Sequence, residues 1–323
     1  MMDGFIIRSI AFGVLLPAVL AGVIALFGRQ KLGAWAGAIG ITVGFVAAYI
    51  GVQGTPPFIP RTVPELLPAL ALVGLLWAWL ERFWMHSSAL TWLLRLVPLG
   101  LLELFLYFRI FSGRITARFN PWTTGDIILN LTVPAVTVAL LWVFLALALP
   151  PAVKATATDT SDAVDDNADT NTAANNTAAN NTAANNTTGT VTKRSLAVVI
   201  TVLIVLCSAI AVSLVLAGSA IVAQIVGALT AALGAIMVLA WLVPAPYISV
   251  TAAPTIALVL GNALALGGFF AATLPWYGAL LLALTGLFLY LGRNRPFMTR
   301  LAVQLGGTAV LAALGVLIAW QTH

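Results

Sequence analysis

The sequence predicts an all-α fold, a polytopic α-helical membrane protein with about ten transmembrane helices arranged five and five. Three observations carry this. The chain is 61% hydrophobic and only 8% charged, a third of the roughly 25% charge that soluble domains carry. Several apolar runs reach the ~20 residues that a helix needs to cross a bilayer. Near its middle the composition breaks abruptly into a polar, repetitive stretch. A β-barrel does not fit, because its strands would show segments of ~10 alternating residues instead of unbroken apolar runs.

Apolar length and flanking polar residues place the spans near 5–27, 32–52, 64–80, 88–108, 127–149, 196–217, 219–242, 251–273, 275–291 and 301–320. The apolar run from Ile10 to Phe27 exceeds the usual 7–15 residues of a signal-peptide core, so it reads as a retained first helix. The third span is short enough to be tilted or partial, and Pro64 and Pro68 fall in its first turns, where proline is tolerated. Thr123, Thr124, Gly125 and Asp126 precede the fifth span as a capping sequence, with Asn130 one turn further on. Gly, Ser and Pro divide the two longest apolar stretches at 217–220 and 274–278.

The organisation is therefore an N-terminal membrane half (1–150), a linker (151–195) and a C-terminal membrane half (196–323). Residues 154–194 hold five Asp and no aromatic residue, and from Thr172 the unit TAANN repeats three times. Such a segment offers almost no apolar surface to offset ordering entropy, so it reads as disordered. Asn175, Asn180 and Asn185 begin Asn-x-Thr sequons, which matter only outside the cytoplasm. Deleting 156–190 is expected to leave membrane-extracted yield and monodispersity unchanged. A collapse of either would show that the linker is docked.

The net charge of +5 is spread over helix ends and gathers in no stripe, which excludes a nucleic-acid footprint. These flanking charges orient the helices. Arg29, Lys31, Arg82, Lys154, Lys193, Arg194, Arg293, Arg295 and Arg300 fall on one side, against Arg8, Arg61, Arg109, Arg114 and Arg118 on the other. The richer side is expected in the cytoplasm of a cell (inner) membrane, with the linker inside and both termini outside. The cluster at Arg109, Arg114 and Arg118 opposes this.

Catalytic patterns are absent. The histidines are His86 and His323, too few and too near helix ends for a bis-histidine haem. No H-E-x-x-H, G-x-S-x-G or Walker A pattern occurs. The single cysteine, Cys207, excludes an intrachain disulfide. No cofactor, metal or catalytic residue is assigned, and the expected partners are the bilayer and a membrane protein or a second copy.

The residues singled out are few. Arg95 and Glu103 interrupt the fourth span, about 12 Å apart along the axis and about 80° around it. They form no i,i+4 pair. If 83–94 lies along the interface, Arg95 snorkels while Glu103 stays in the hydrocarbon. Glu103 is therefore the stronger intramembrane candidate. Asn262 lies central in the eighth span, where an amide seeks a partner on another helix. Small residues recur every four positions at Ala36, Gly40, Gly44 and Ala48, and again at Ala223, Gly227, Ala231 and Ala235. Such ridges let helix backbones approach closely.

Three functions fit. An accessory or scaffolding component of a membrane assembly is favoured by the scarcity of intramembrane polar groups. A secondary transporter or channel is suggested by the five-and-five count, because an odd number of spans per half makes any repeat inverted. A lipid-modifying enzyme fits least, because no paired carboxylates lie within the spans.

Overall fold

The computed structural model describes residues 7–8, 10–33, 35–57, 60, 62–84, 100, 123–149, 196–242, 248–265, 274–291 and 296–321. The fourth predicted span, with Arg95 and Glu103, the linker and His86 lie outside these residues. No strand occurs among the described residues, and the chain is an all-α polytopic membrane protein. Seven of the described helices are long and apolar enough to cross a membrane, and two shorter apolar helices accompany them.

The first helix enters through a π-turn at Ala11–Leu15 and continues as α1 (Leu16–Leu32). Gly33, at φ 55°, turns the chain into α2 (Trp35–Gln53). The third predicted span is not partial: α3 runs over Val63–Trp84 with Pro68 inside it. Helix α4 (Thr124–Ala148) starts on a reciprocal cap. The Thr123 hydroxyl oxygen accepts from the Asp126 amide at 3.2 Å, and the Asp126 carboxylate accepts from the Thr123 amide at 3.0 Å. Two N-terminal donors are thereby satisfied.

Helix α5 (Leu196–Leu216) and α6 (Ala220–Leu242) form a hairpin turned at Gly218, whose φ of 87° suits a residue without a Cβ. A 3₁₀ turn, Val250–Ala252, leads into α7 (Ala253–Asn262). Helix α8 (Trp276–Leu284) is separated from α9 (Leu287–Tyr290) by a tight turn at Thr285–Gly286. Finally α10 (Phe297–Leu301) passes through a π-turn, Ala302–Gly306, into α11 (Gly307–Gln321).

Helices from the two sequence halves interleave. Helix α6 packs on both α1 and α2, and α7 lies between α3 and α4. Helix α8 packs on α4 and α11. The described part of the core is one continuous apolar cluster drawing on both halves, with Phe45, Leu67 and Trp142 from the first and Leu203, Ile236 and Leu260 from the second. Large apolar residues on α1, such as Val19 and Phe27, and on α11, such as Val310 and Leu317, are exposed, as suits helices whose outer surface meets lipid.

Candidate functional site

Every residue from Ile248 to Ala265 is buried. A helix apolar on all sides belongs inside a core, and α7 occupies that place. Its backbone reaches its neighbours through glycine. A methyl group at Gly74 of α3 would stand 2.6 Å from the Thr255 Cα and 2.7 Å from its nitrogen. A methyl at Gly261 of α7 would stand 2.5 Å from Val138 Cγ2 and 2.9 Å from the Val138 Cα on α4. The two glycines thus clamp α7 from two sides.

Polar groups mark the same seam. The Thr42 and Thr255 hydroxyls lie 3.4 Å apart, and Thr255 reaches the Ala71 carbonyl at 3.5 Å. Thr42 also donates to the carbonyl of Ala38, one turn back in its own helix, at 2.9 Å. Asn262 is fully buried, and its Nδ2 donates to the Leu258 carbonyl at 2.9 Å. At the start of α7 the Ser249 and Thr251 hydroxyls pair at 2.8 Å, and Ser249 Oγ accepts from the Thr251 amide at 3.4 Å.

Thr137, Thr201 and Thr230 also donate to carbonyls one turn back, those of Val133, Ala197 and Val226. This back-bonding satisfies a hydroxyl within its own helix, and the Thr201 hydroxyl also reaches Met237 Sδ on α6 at 3.4 Å.

A second polar group holds the last two described spans together. Arg300, Gln304 and Thr308 recur at i, i+4 and i+8, and all three are buried. Gln304 Nε2 donates to the Leu289 carbonyl at 2.8 Å, while its Oε1 accepts from Arg300 Nε at 3.1 Å. Leu289 lies in the last turn of α9, where carbonyls lack helical donors. Gln304, in the π-turn Ala302–Gly306, therefore caps α9 and is itself held by Arg300.

The backbone windings match this contact. Around Thr285–Gly286 the amides bond three residues back, as Phe288 does to Thr285 at 3.1 Å. Gly286 donates to Ala283 at 3.0 Å, and the Thr285 hydroxyl takes the Leu282 carbonyl. Opposite, the π-turn Ala302–Gly306 keeps Gln304 on the same inner face as Thr308, Ala312, Gly315 and Ala319. Gly307 and Gly315 lie against the Phe288 and Leu282 side chains, which would have to shift to admit a methyl at either. The Thr308 hydroxyl has no hydrogen-bond partner among the described residues.

The residues named from the sequence fall in several places. Gly40 and Gly44 lie at the α1–α2 seam, where a methyl would stand 2.8 Å from the Ala21 carbonyl oxygen and 2.7 Å from that of Pro17. Gly227 differs, because no described atom lies within 4 Å of a methyl placed there. Helix α6 instead turns Ile225, Leu229, Leu233 and Ile236 inward. Asn262 sits in the central seam with Gly74, Thr255 and Gly261, which the sequence reading did not single out. Arg300, counted there as a loop charge, is only 7% exposed within α10. Arg95 and Glu103 lie outside the described residues.

Most of the hydroxyls and amides of these two groups bond backbone carbonyls, and the described residues of the seam bring no nucleophile together with a base. Comparison with protein-family models, with curated proteins and with solved structures finds no match to this chain.

Proposed function

We propose that the protein is an accessory or scaffolding component of a membrane assembly, with a membrane-protein partner seated on its lipid-facing helices. One observation carries this reading: the polar side chains of the central seam are spent on carbonyls within the bundle. A transport path needs polar groups that face water and exchange partners. Alternating access also needs one half to rock against the other, and the α7 clamp ties residues of both halves together across Gly74 and Gly261.

Thiol accessibility tests this. Thr42→Cys, Thr255→Cys and Asn262→Cys, each in a Cys207→Ala background, are expected to resist a small water-soluble maleimide in native membranes. Reaction at 255 or 262 would place water at the seam and replace the scaffold with a transporter or channel. A lipid-modifying enzyme would instead need a polar cleft open to one leaflet.

The orientation belongs to the same proposal. With Arg300 withdrawn into the bundle, the flanking charges still favour the linker side, so the linker and the 293–296 loop face the cytoplasm. Thr182→Cys and Asn294→Cys, in the same background, are expected to stay unlabelled by an impermeant thiol reagent in intact cells. Labelling of either reverses the topology.

A further inference from the structure

Two buried hydroxyls face each other where α8 and α9 meet the last described helix. Gly315 lies against the Leu282 side chain, Gly307 against that of Phe288, and Gln304 bonds the Leu289 carbonyl. The two stretches therefore run antiparallel, and Thr308 falls opposite residues 285–287. Leu282 and Thr285 stand one turn apart on one helix face, so Thr285 is turned toward Thr308. Both threonines are fully buried.

Their hydrogen bonds do not close on each other. The Thr285 hydroxyl gives its proton to the Leu282 carbonyl, which leaves only lone pairs for a neighbour. The break at Thr285–Gly286 adds a second acceptor. The Phe288 amide bonds Thr285, three residues back, so the Leu284 carbonyl loses its helical donor. Thr308 has a proton to give and meets no acceptor among the described residues. Thr137, Thr201 and Thr230 give theirs to a carbonyl one turn back. For Thr308 that carbonyl belongs to Gln304, in the π-turn, and the Gly307 amide already takes it.

We infer that one water molecule is bound between Thr308 and the α8–α9 break. It accepts the Thr308 proton and donates to Thr285 Oγ1 and the Leu284 carbonyl, the roughly three bonds that a buried water makes. Lipid supplies no bulk water to a broken helix, so its freed carbonyls need an internal donor. Gln304 is that donor at Leu289, and the water is that donor at Leu284. A cation would meet the same oxygens, but buried Arg300 already places a positive charge about two turns away on the same face. The neutral ligand is the one that the site favours.

Thr308→Val tests this by the sign of its effect. With the water bound, losing its hydroxyl partner frees the water and strands the acceptors at the break, so the unfolding midpoint in mixed micelles falls. Without the water, the change removes a buried unpaired hydroxyl, and the midpoint rises. A second readout follows the water itself. X-ray radiolysis of a bound water oxidises the side chains around it, so fully buried Leu282 and Leu289 are expected to be labelled in the native protein. Thr308→Ser keeps the hydroxyl and the labelling, and Thr308→Val lowers the labelling severalfold. An unchanged or raised midpoint in Thr308→Val overturns the inference, as does native protein in which neither leucine is labelled. Should Thr308→Val fail to fold, labelling of the native and Thr308→Ser proteins decides it.

Discussion

Gly74→Ala is expected to destabilise the protein by about 1–3 kcal/mol, the usual cost of overpacking a well-packed core. In an ordinary helix the same change would stabilise by roughly 0.5–1 kcal/mol, because alanine has the higher helix propensity. The reversal comes from what the new methyl meets. It would lie 2.6 Å from the Thr255 Cα, 2.7 Å from the Thr255 nitrogen and 3.0 Å from the Pro254 carbonyl carbon. These are backbone atoms, so no rotamer change relieves the clash, and α3 must move away from α7. That separation stretches the Thr255–Ala71 contact, already 3.5 Å, and thins the dispersion contacts that hold helices together in lipid. Gly227→Ala is the matched control, with open space among the described residues. It should be neutral or slightly stabilising. Reversible unfolding in mixed micelles measures both, and equal effects of the two substitutions would refute the clamp.

The contrast between these two glycines shows what the sequence could and could not reveal. Hydropathy located the helices, because bilayer thickness sets their length whatever they pack against. The small-residue ridge at Gly40 and Gly44 marked a seam where the α1 and α2 backbones approach closely. The similar ridge through Gly227 is split: Gly227 itself meets no described atom within 4 Å, whereas Ala235 lies 3.8 Å from where a methyl on Gly22 of α1 would stand. Small residues permit a close approach without supplying the neighbour at every position. Ala257, Gly261 and Ala265 also recur every four residues, a signal as strong as the two ridges that were singled out. Only the placement of α7 between α3 and α4 gives that third ridge its weight.

The interleaving of the halves had no local signature, since a run of apolar residues carries no record of which other run it will touch. The polar clamp was half visible. Arg300, Gln304 and Thr308 lie at helical spacing, but Arg300 sits beside Arg293 and Arg295 and so resembled an orienting charge outside the bilayer. Its burial beside Gln304, which reaches across to Leu289, is a tertiary fact. Asn262 is buried in α7, and where a partner on another helix was expected its Nδ2 donates to Leu258 of its own helix.

Gln304→Leu is expected to cost about 2.5–6 kcal/mol, through two losses that a leucine of similar volume cannot restore. The Leu289 carbonyl loses its 2.8 Å donor, and Arg300 loses its 3.1 Å acceptor. A buried carbonyl left without a partner costs about 1–3 kcal/mol, and a hydrogen bond to a charged group contributes about 1.5–3 kcal/mol. Gln304→Glu separates the two. A carboxylate keeps an acceptor for Arg300 but offers no donor to Leu289, so only the cost of the unpaired carbonyl, about 1–3 kcal/mol, should remain. Arg300→Met combined with Gln304→Leu should cost less than the sum of the single changes, because each removes a partner of the other. Additive costs in that cycle, measured by unfolding in mixed micelles, would mean that the two side chains act independently. The capping of α9 would then rest on the Gln304–Leu289 bond alone.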